Sequence, residues 1–419
     1  MRNKMGENKN IPQIRFNGFD ESWEVKKLGE IGFTYSGLFG KSKIDFGHGE
    51  GKYITYMNIF SNPITNVDIT APIEIDINQN EVEFGDVFFT TSSETPEEVG
   101  MTSVWLGSGK NTYLNSFCFG YRLTEELDSY FIAYLLRSFN TRKKITYLAQ
   151  GISRYNISKN KVMQICISRP KISEQYHIGS YFQNLDKLIT LQQQKHDKLV
   201  TLKKAMLDKM FPKEGADVPE IRFKGFTGDW DEKKLGDIGY TYTGLTGKTK
   251  ADFGHGNGRY ITYMNVFSNP VADNDITEAI EVDNNQNKVQ FGDVFFTTSS
   301  ETPEEVGMSS VWLKNCHNTY LNSFCFGYRP NIKVDNYYFA NLLRSTVIRK
   351  RIIFLAQGIS RYNISKNKVM EISVPLPNLE EQKQIGSYFQ NLDKLISLHQ
   401  QEIQKLKNIK KACLEKMFV

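Results

Sequence analysis

The sequence predicts a mixed α/β (α+β) protein: two similar globular domains separated by two long helices, packed as an antiparallel, coiled-coil-like pair with pseudo-two-fold symmetry. Three observations predict it. The chain repeats itself at an offset of 207 residues, without a gap from Pro12/Pro219 to Phe211/Phe418. Each repeat ends in a long segment whose apolar residues recur at spacings of three and four, as on one face of a helix. Ahead of each helix lie short runs of β-branched and aromatic residues bounded by Gly-rich turns, which read as strands.

At 419 residues the chain can hold two or more domains with proper cores, and its 40 % apolar and 24 % charged content is ordinary for a soluble protein. No apolar run reaches the roughly 18 residues of a membrane span. The opening MRNKMGENKN lacks the apolar stretch of an export signal. Five cysteines, an odd number with no CxxC pair, fit a reduced, cytoplasmic interior. The net charge of +5 points only weakly to an anionic partner; its placement says more.

The repeat is domain-sized, too long for a solenoid unit. Phe84–Met101 is identical to Phe291–Met308, Thr112–Arg122 to Thr319–Arg329, Leu148–Met163 to Leu355–Met370, and Ile178–Ile189 to Ile385–Ile396. The predicted boundaries are a globule over 1–172, a helix over 173–211, a second globule over 212–379 and a last helix over 380–419. Each globule should open with a short strand, Ile14–Phe16 or Ile221–Phe223, followed by Trp23 or Trp230. Tyr53–Met57, Val82–Thr91 and Tyr113–Tyr121 read as strands. Asp128–Phe139 reads as a helix with Tyr130, Phe131, Tyr134 and Leu135 inward. Ile145–Leu148 and Val162–Ile167 read as further short strands. Pro170, or Pro375 and Pro377, closes the globule before its helix.

The first long helix has no Pro or Gly between Gly179 and Pro212, enough for roughly 50 Å at 1.5 Å per residue. Its stripe runs through Ile178, Phe182, Leu185 and Ile189, then Leu199, Leu202, Met206 and Met210. The second stripe is Ile385, Phe389, Leu392, Ile396, Ile403, Leu406, Cys413 and Met417. Two such stripes are expected to bury each other. Gln192, His196 and His399 fall near the seam, so packed helices fit better than an ideal zipper.

Catalytic chemistry is missing from the pattern. Gly40–Ser42 and Gly247–Thr249 suggest a phosphate loop, but that loop needs a glycine where Tyr35 and Tyr242 stand. His48 and His255, each in a DFGHG turn, read as turn residues rather than bases. Cys118 and Cys325 lie in aromatic strands and read as core. Glu94, Glu97 and Glu98 around Pro96 read as a solvated turn. Asn62-Pro63 and Asn269-Pro270 continue with Ile64 and Val271, unlike the Asn/Asp-Pro-Pro-aromatic segment of amino-methylating enzymes. No complete set of nucleophile, base and orienting group is present, so no catalytic, cofactor or metal residue is assigned.

The charge carries the function. Thr141–Lys161 holds Arg142, Lys143, Lys144, Arg154, Lys159 and Lys161 without one acid. Its copy holds Arg349, Lys350, Arg351, Arg361, Lys366 and Lys368, again without one. Tyr155, Asn156, Tyr362 and Asn363 are interleaved, as are Tyr147 and Gln150. Lys and Arg position a phosphate backbone while Arg, Asn and Gln read base edges. Gly151 would let backbone approach phosphate closely. With Lys41, Lys43, Lys248 and Lys250 in the Gly-rich loops, these residues form the expected DNA surface. Two like globules at opposite ends of an antiparallel helix pair would suit a bipartite duplex site with equal half-sites, an interrupted palindrome.

The chain also resembles the DNA-specificity subunit of type I restriction–modification systems. The resemblance rests on Gln150-Gly151-Ile152-Ser153-Arg154 leading to Ile157-Ser158, then Glu174-Gln175, Ile178-Gly179 and Phe182-Leu185-Asp186-Leu188-Ile189. The second copy adds Val374-Pro375-Leu376-Pro377, Glu380-Glu381-Gln382, Ile385-Gly386 and Leu392-Asp393; Ser168-Arg169-Pro170 departs from the Pro-Leu-Pro pattern. The resemblance implies two target-recognition domains and two spacer helices. It implies a non-catalytic subunit that docks two adenine-N6 methyltransferase subunits and recruits ATP-driven restriction subunits, with S-adenosylmethionine and ATP on those partners. Family members usually read two different half-sites, and near-duplicate globules depart from that. A self-contained DNA-modifying enzyme, or a protein-interaction scaffold without site-specific DNA binding, are the alternatives.

Overall fold

The structure, a computed structural model, describes residues 10–107 and 110–419, so most of the opening stretch read above as lacking an export signal lies outside it. The chain divides into two units. Residues 1–193 and 401–419 make the first, and residues 194–400 the second.

In the first unit, Glu24–Lys27 (β1), Gly32–Ser36 (β2) and Phe46–Ile54 (β3) lead into a short helix, Tyr56–Ser61 (α1). Thr70–Ile73 (β4), Val87–Thr90 (β5), Ser92–Ser93 (β6), Thr102–Val104 (β7), Thr112–Leu114 (β8) and Cys118–Leu123 (β9) follow. Then come Ser129–Arg137 (α2), Phe139–Thr146 (α3), Tyr155–Asn156 (β10), Lys159–Val162 (α4) and Cys166–Arg169 (β11). A four-stranded antiparallel sheet in the order β2-β9-β5-β7 lies beside a three-stranded sheet, β4-β3-β8. Both faces of β5 are covered. Phe89 packs with Phe119, Tyr121 and the helical residues Phe131 and Leu135, while Phe88 packs with Ile54, Trp105 and Leu114. Burial on both faces is why Val87-Phe88-Phe89 is a continuous apolar run rather than an alternating one.

The expected helix at Asp128 forms, with Asp128 as its N-cap accepting from Phe131 N at 2.7 Å. Four assignments change, the first at Val162–Ile167, where Val162 ends the helix α4 and the strand begins only at Cys166. Tyr56 and Met57 belong to a helix, because Thr55 caps it by accepting from Asn58 N. Ile145–Leu148 is no strand: Ser138 starts α3, and Ile145 is buried on its inner face. Ile14–Phe16 forms no strand; Ile14 N instead donates to Lys416 O at 3.0 Å.

The long helices run over Ile172–Lys209 (α5) and, after Tyr263–Ser268 (α6), Asn336–Leu342 (α7), Thr346–Phe354 (α8) and Lys366–Val369 (α9), over Leu379–Lys416 (α10). Within the first unit the start of α5 meets the end of α10 antiparallel. Asp186 pairs with Lys410, Tyr181 hydroxyl lies 3.5 Å from Cys413 Sγ, and Phe182 stacks on Phe418 at 5.6 Å. Within the second unit Lys203 pairs with Asp393 and Phe211 stacks on Phe389 at 5.9 Å.

The stripes do not face only each other. Ile178, Phe182 and Leu185 share one core with Trp23, Phe131 and Tyr134, and Ile385, Phe389 and Leu392 do the same beside Trp230 and Tyr338. Cys413 closes the first core, Leu406 packs at its edge, and Leu199 and Met206 pack against the second. Ile189 and Ile396 are half-buried, whereas Leu202 is exposed, off the seam. Gly179 is needed where α5 crosses the cap of α2, since a Cβ there would lie 2.2 Å from Asp128 Oδ1.

Candidate nucleic-acid interface

The exposed end of the Gln150–Asn156 segment is a tight hairpin. Gln150 and Asn156 exchange backbone hydrogen bonds, each 2.9 Å, and β10 pairs with β6 so that Tyr155 faces Ser93 and Asn156 faces Ser92. Gly151 has φ +145°, and a Cβ there would sit 2.0 Å from Arg154 O. The glycine is therefore required by the turn itself. The turn leaves Ile152 95 % exposed and turns Arg154 outward, with Nη2 donating to Ser92 Oγ at 3.2 Å.

Facing the hairpin is α1. Tyr56 stacks on Phe60 at 5.8 Å and donates its hydroxyl proton to Ser92 O at 2.8 Å. Half-buried Arg137 ties α1 to β7 by donating to the carbonyls of Ile59, Phe60 and Asn62 on one side and of Thr102 on the other. Phe117, whose carbonyl accepts from Thr91 N and Oγ1, forms a third wall. Together these walls enclose a groove of about 470 Å³ lined by Met57, Ser93, Glu94, Phe117 and Arg154 among others. Every residue lining it has an identical counterpart 207 positions on. The second unit repeats the geometry. Tyr263 hydroxyl donates to Ser299 O at 2.9 Å, Tyr263 stacks on Phe267 at 5.8 Å, and Gly358 has φ +144°.

The basic segment splits between several environments. Arg142 points inward and donates to the carbonyls of Glu97, Val99 and Gly100, and Arg349 to those of Glu304, Val306 and Gly307. Burial lowers both guanidinium pKa values to about 10. These two arginines anchor a loop and leave the surface expected of them. Lys41 is paired with Asp76 and Lys248 with Asp283, each at 2.7 Å. The lysine bonds hold Asp76 well below the usual carboxylate range and Asp283 at about 2. Lys144 donates to Cys166 O, Lys159 to Ser36 Oγ, and Arg351 to Ser373 O and Glu232. Tyr155 and Tyr362 are half-buried against the cores.

What remains outward is Arg154, Arg361, Asn156 and Asn363 at the hairpins, Lys43 and Lys250 in the Gly-rich loops, and Lys143, Lys161, Lys350, Lys366 and Lys368. Lys143 and Lys161 line a separate cavity of about 600 Å³ beside Tyr147, which is 85 % exposed. The sequence reading missed Met57, Phe117 and Glu94 as groove residues. Glu94 and Phe117 lie in the stretches Phe84–Met101 and Thr112–Arg122 that are identical between the repeats, and Met57 recurs as Met264. Among the described residues no group of three His, Cys, Asp or Glu side chains could hold a metal ion, and no helix is long and apolar enough to cross a membrane.

A model of the family described as type I restriction modification DNA specificity domain matches residues 20–201 and again 227–408. The chain belongs to that family. A specificity subunit is a non-catalytic component of a restriction–modification complex. The chain is 23 % identical over 436 aligned positions to the putative specificity subunit of the MjaX type I restriction enzyme of Methanocaldococcus jannaschii, covering 96 % of this chain and 94 % of that one. It is 24 % identical to the MjaVIII specificity subunit of the same organism, covering 68 % of each. The fold matches the S subunit of a type I system from M. genitalium with TM-score 0.53 at 15 % identity, over 98 % of this chain and 99 % of that one. It also matches a chain from a structure described as showing complex assembly and conformational transition of the type I system, with TM-score 0.57 at 17 % identity, over 94 % and 96 %.

Proposed function

We propose that this specificity subunit reads a bipartite site on duplex DNA, one half-site per unit, and that the two half-sites have the same sequence. One observation carries the proposal: every residue lining the groove of the first unit recurs unchanged 207 positions on, in the second. Segments that differ between the repeats, such as Ile64–Ile77 against Val271–Asn284, contribute nothing to that lining. At each groove the hairpin supplies an outward arginine, while Lys43 and Lys161 or their counterparts are free to meet phosphate.

The same reading makes the chain a scaffold. Leu188 and Leu191 of α5 are 46 % and 47 % exposed, and their counterparts Leu395 and Leu398 of α10 are 45 % and 51 % exposed. Paired apolar residues at i and i+3 on each helix suit the docking of one adenine-N6 methyltransferase subunit per helix, with restriction subunits added to that core. S-adenosylmethionine and ATP then belong to those partners, and the complex acts on DNA inside the cell.

The test replaces Arg154 and Arg361 together by alanine and footprints the complex on its DNA. The site-specific footprint should disappear while weak, salt-sensitive binding persists. An unchanged footprint refutes the assignment. Methylation by the purified chain alone would favour a self-contained enzyme instead, and a wild-type complex without a footprint would favour a pure protein scaffold.

A further inference from the structure

We infer that Glu94 and Glu301 are specificity-determining residues, each accepting a hydrogen bond from the exocyclic amine of one base in its half-site. The inference rests on the DNA-reading proposal above and goes beyond it by naming the chemistry read. Glu94 lines the same groove as Arg154, beside the exposed side chains of Met57 and Phe117, 61 % and 57 % exposed. Its neighbour Glu98 is engaged, accepting from Ser93 Oγ at 3.2 Å, and Glu305 accepts from Ser300 Oγ at 3.1 Å. Glu94 and Glu301 are exposed, and neither has a hydrogen bond or ion pair among the described residues.

The loop that carries each is held in place. Arg142 ties three carbonyls of the loop, at Glu97, Val99 and Gly100, to α3, and β6 pairs the other end to the hairpin. A carboxylate fixed in a groove that faces phosphates opposes DNA binding, because like charges repel. It is compatible with binding when a base amine meets it. In the major groove only cytosine N4 and adenine N6 present such a donor, and acidic side chains accept from cytosine N4. The groove therefore holds a full set of base-edge partners. The guanidinium of Arg154 suits guanine O6 and N7, the carboxylate of Glu94 suits an amine, and Met57 and Phe117 suit a thymine methyl. The same set recurs in the second unit at Arg361, Glu301, Met264 and Phe324.

The test uses the purified complex of this chain with its methyltransferase subunit, selecting from a library of randomised duplexes. Three chains are compared: wild type, Glu94→Gln alone, and Glu94→Gln with Glu301→Gln. Glutamine keeps the shape but offers an amide in place of the charge. One base position should relax in one half-site for the single variant and in both for the double. Discrimination at that position should fall roughly ten- to a hundredfold. Other positions should be kept, and affinity for random duplex should be unchanged or higher because a negative charge has gone. A relaxed position that is cytosine in the wild-type motif assigns N4, and one that is adenine assigns N6. An unchanged motif overturns the inference, and so does loss of preference at all positions together, which would mark the loop as structural. A wild-type complex that selects no sequence refutes the DNA-reading proposal itself, so the two failures are distinguishable.

Discussion

Arg142 and Arg154 stand twelve residues apart in one acid-free stretch, and the structure gives them opposite roles. Replacing Arg142 by Met keeps the apolar stem and removes the guanidinium that bonds Glu97 O, Val99 O and Gly100 O. Val99 and Gly100 are buried, so two carbonyls lose their donor away from water. An orphaned buried acceptor costs about 1–3 kcal/mol, which puts the loss near 2–6 kcal/mol. For a unit of this size that is a fall of roughly 5–20 °C in the melting temperature. Thermal unfolding followed by calorimetry reads it directly, with Arg349→Met lowering the transition of the second unit in the same way. Arg154→Ala provides the contrast. Its side chain is exposed with one 3.2 Å bond to Ser92, so stability should change by less than about 0.5 kcal/mol while specific DNA binding is lost. An unshifted melting temperature for Arg142→Met, together with loss of DNA binding, would refute this division of roles.

Phe418→Ala should destabilise the first unit by about 3–5 kcal/mol, because the ring is 3 % exposed and stacks on Phe182; calorimetry should show Phe211→Ala acting likewise on the second unit. Replacing Lys161 and Lys368 by Ala should reduce the slope of log affinity against log salt by about one for each phosphate no longer neutralised, without altering the selected sequence. Burial pushes the Cys118 and Cys325 thiols up to about 12, so iodoacetamide at pH 8 should alkylate exposed Cys166 first and leave those two intact until the chain unfolds; mass spectrometry of the labelled peptides checks the order.

The architecture was largely readable because it depends on long periodic signals. The stripe of α5 and α10, the cap-and-helix of Asp128–Arg137 and the duplication all come from patterns spanning many residues. Short elements were misjudged where a tertiary partner decides. Ile145 is β-branched, yet the Ser138 start and burial against the core make its segment helical. The candidate site was readable in composition but not in direction. Arg142 lies one turn before buried Ile145 on the same face of α3, and that spacing points its guanidinium inward. Glu94 read as a solvated turn because nothing local shows that Tyr56, Phe117 and Arg154, distant in sequence, converge on it. The fate of Lys41 and Lys248 was likewise set by Asp76 and Asp283, each 35 residues downstream.

The central claim, that twin grooves read equal half-sites, is tested most directly by base-resolved mapping of N6-methyladenine in cells carrying and lacking this chain. The account predicts a motif present only with the chain, made of one short sequence and its reverse complement around an unread gap. Two unrelated half-sites, or methylation indifferent to the chain, would contradict it.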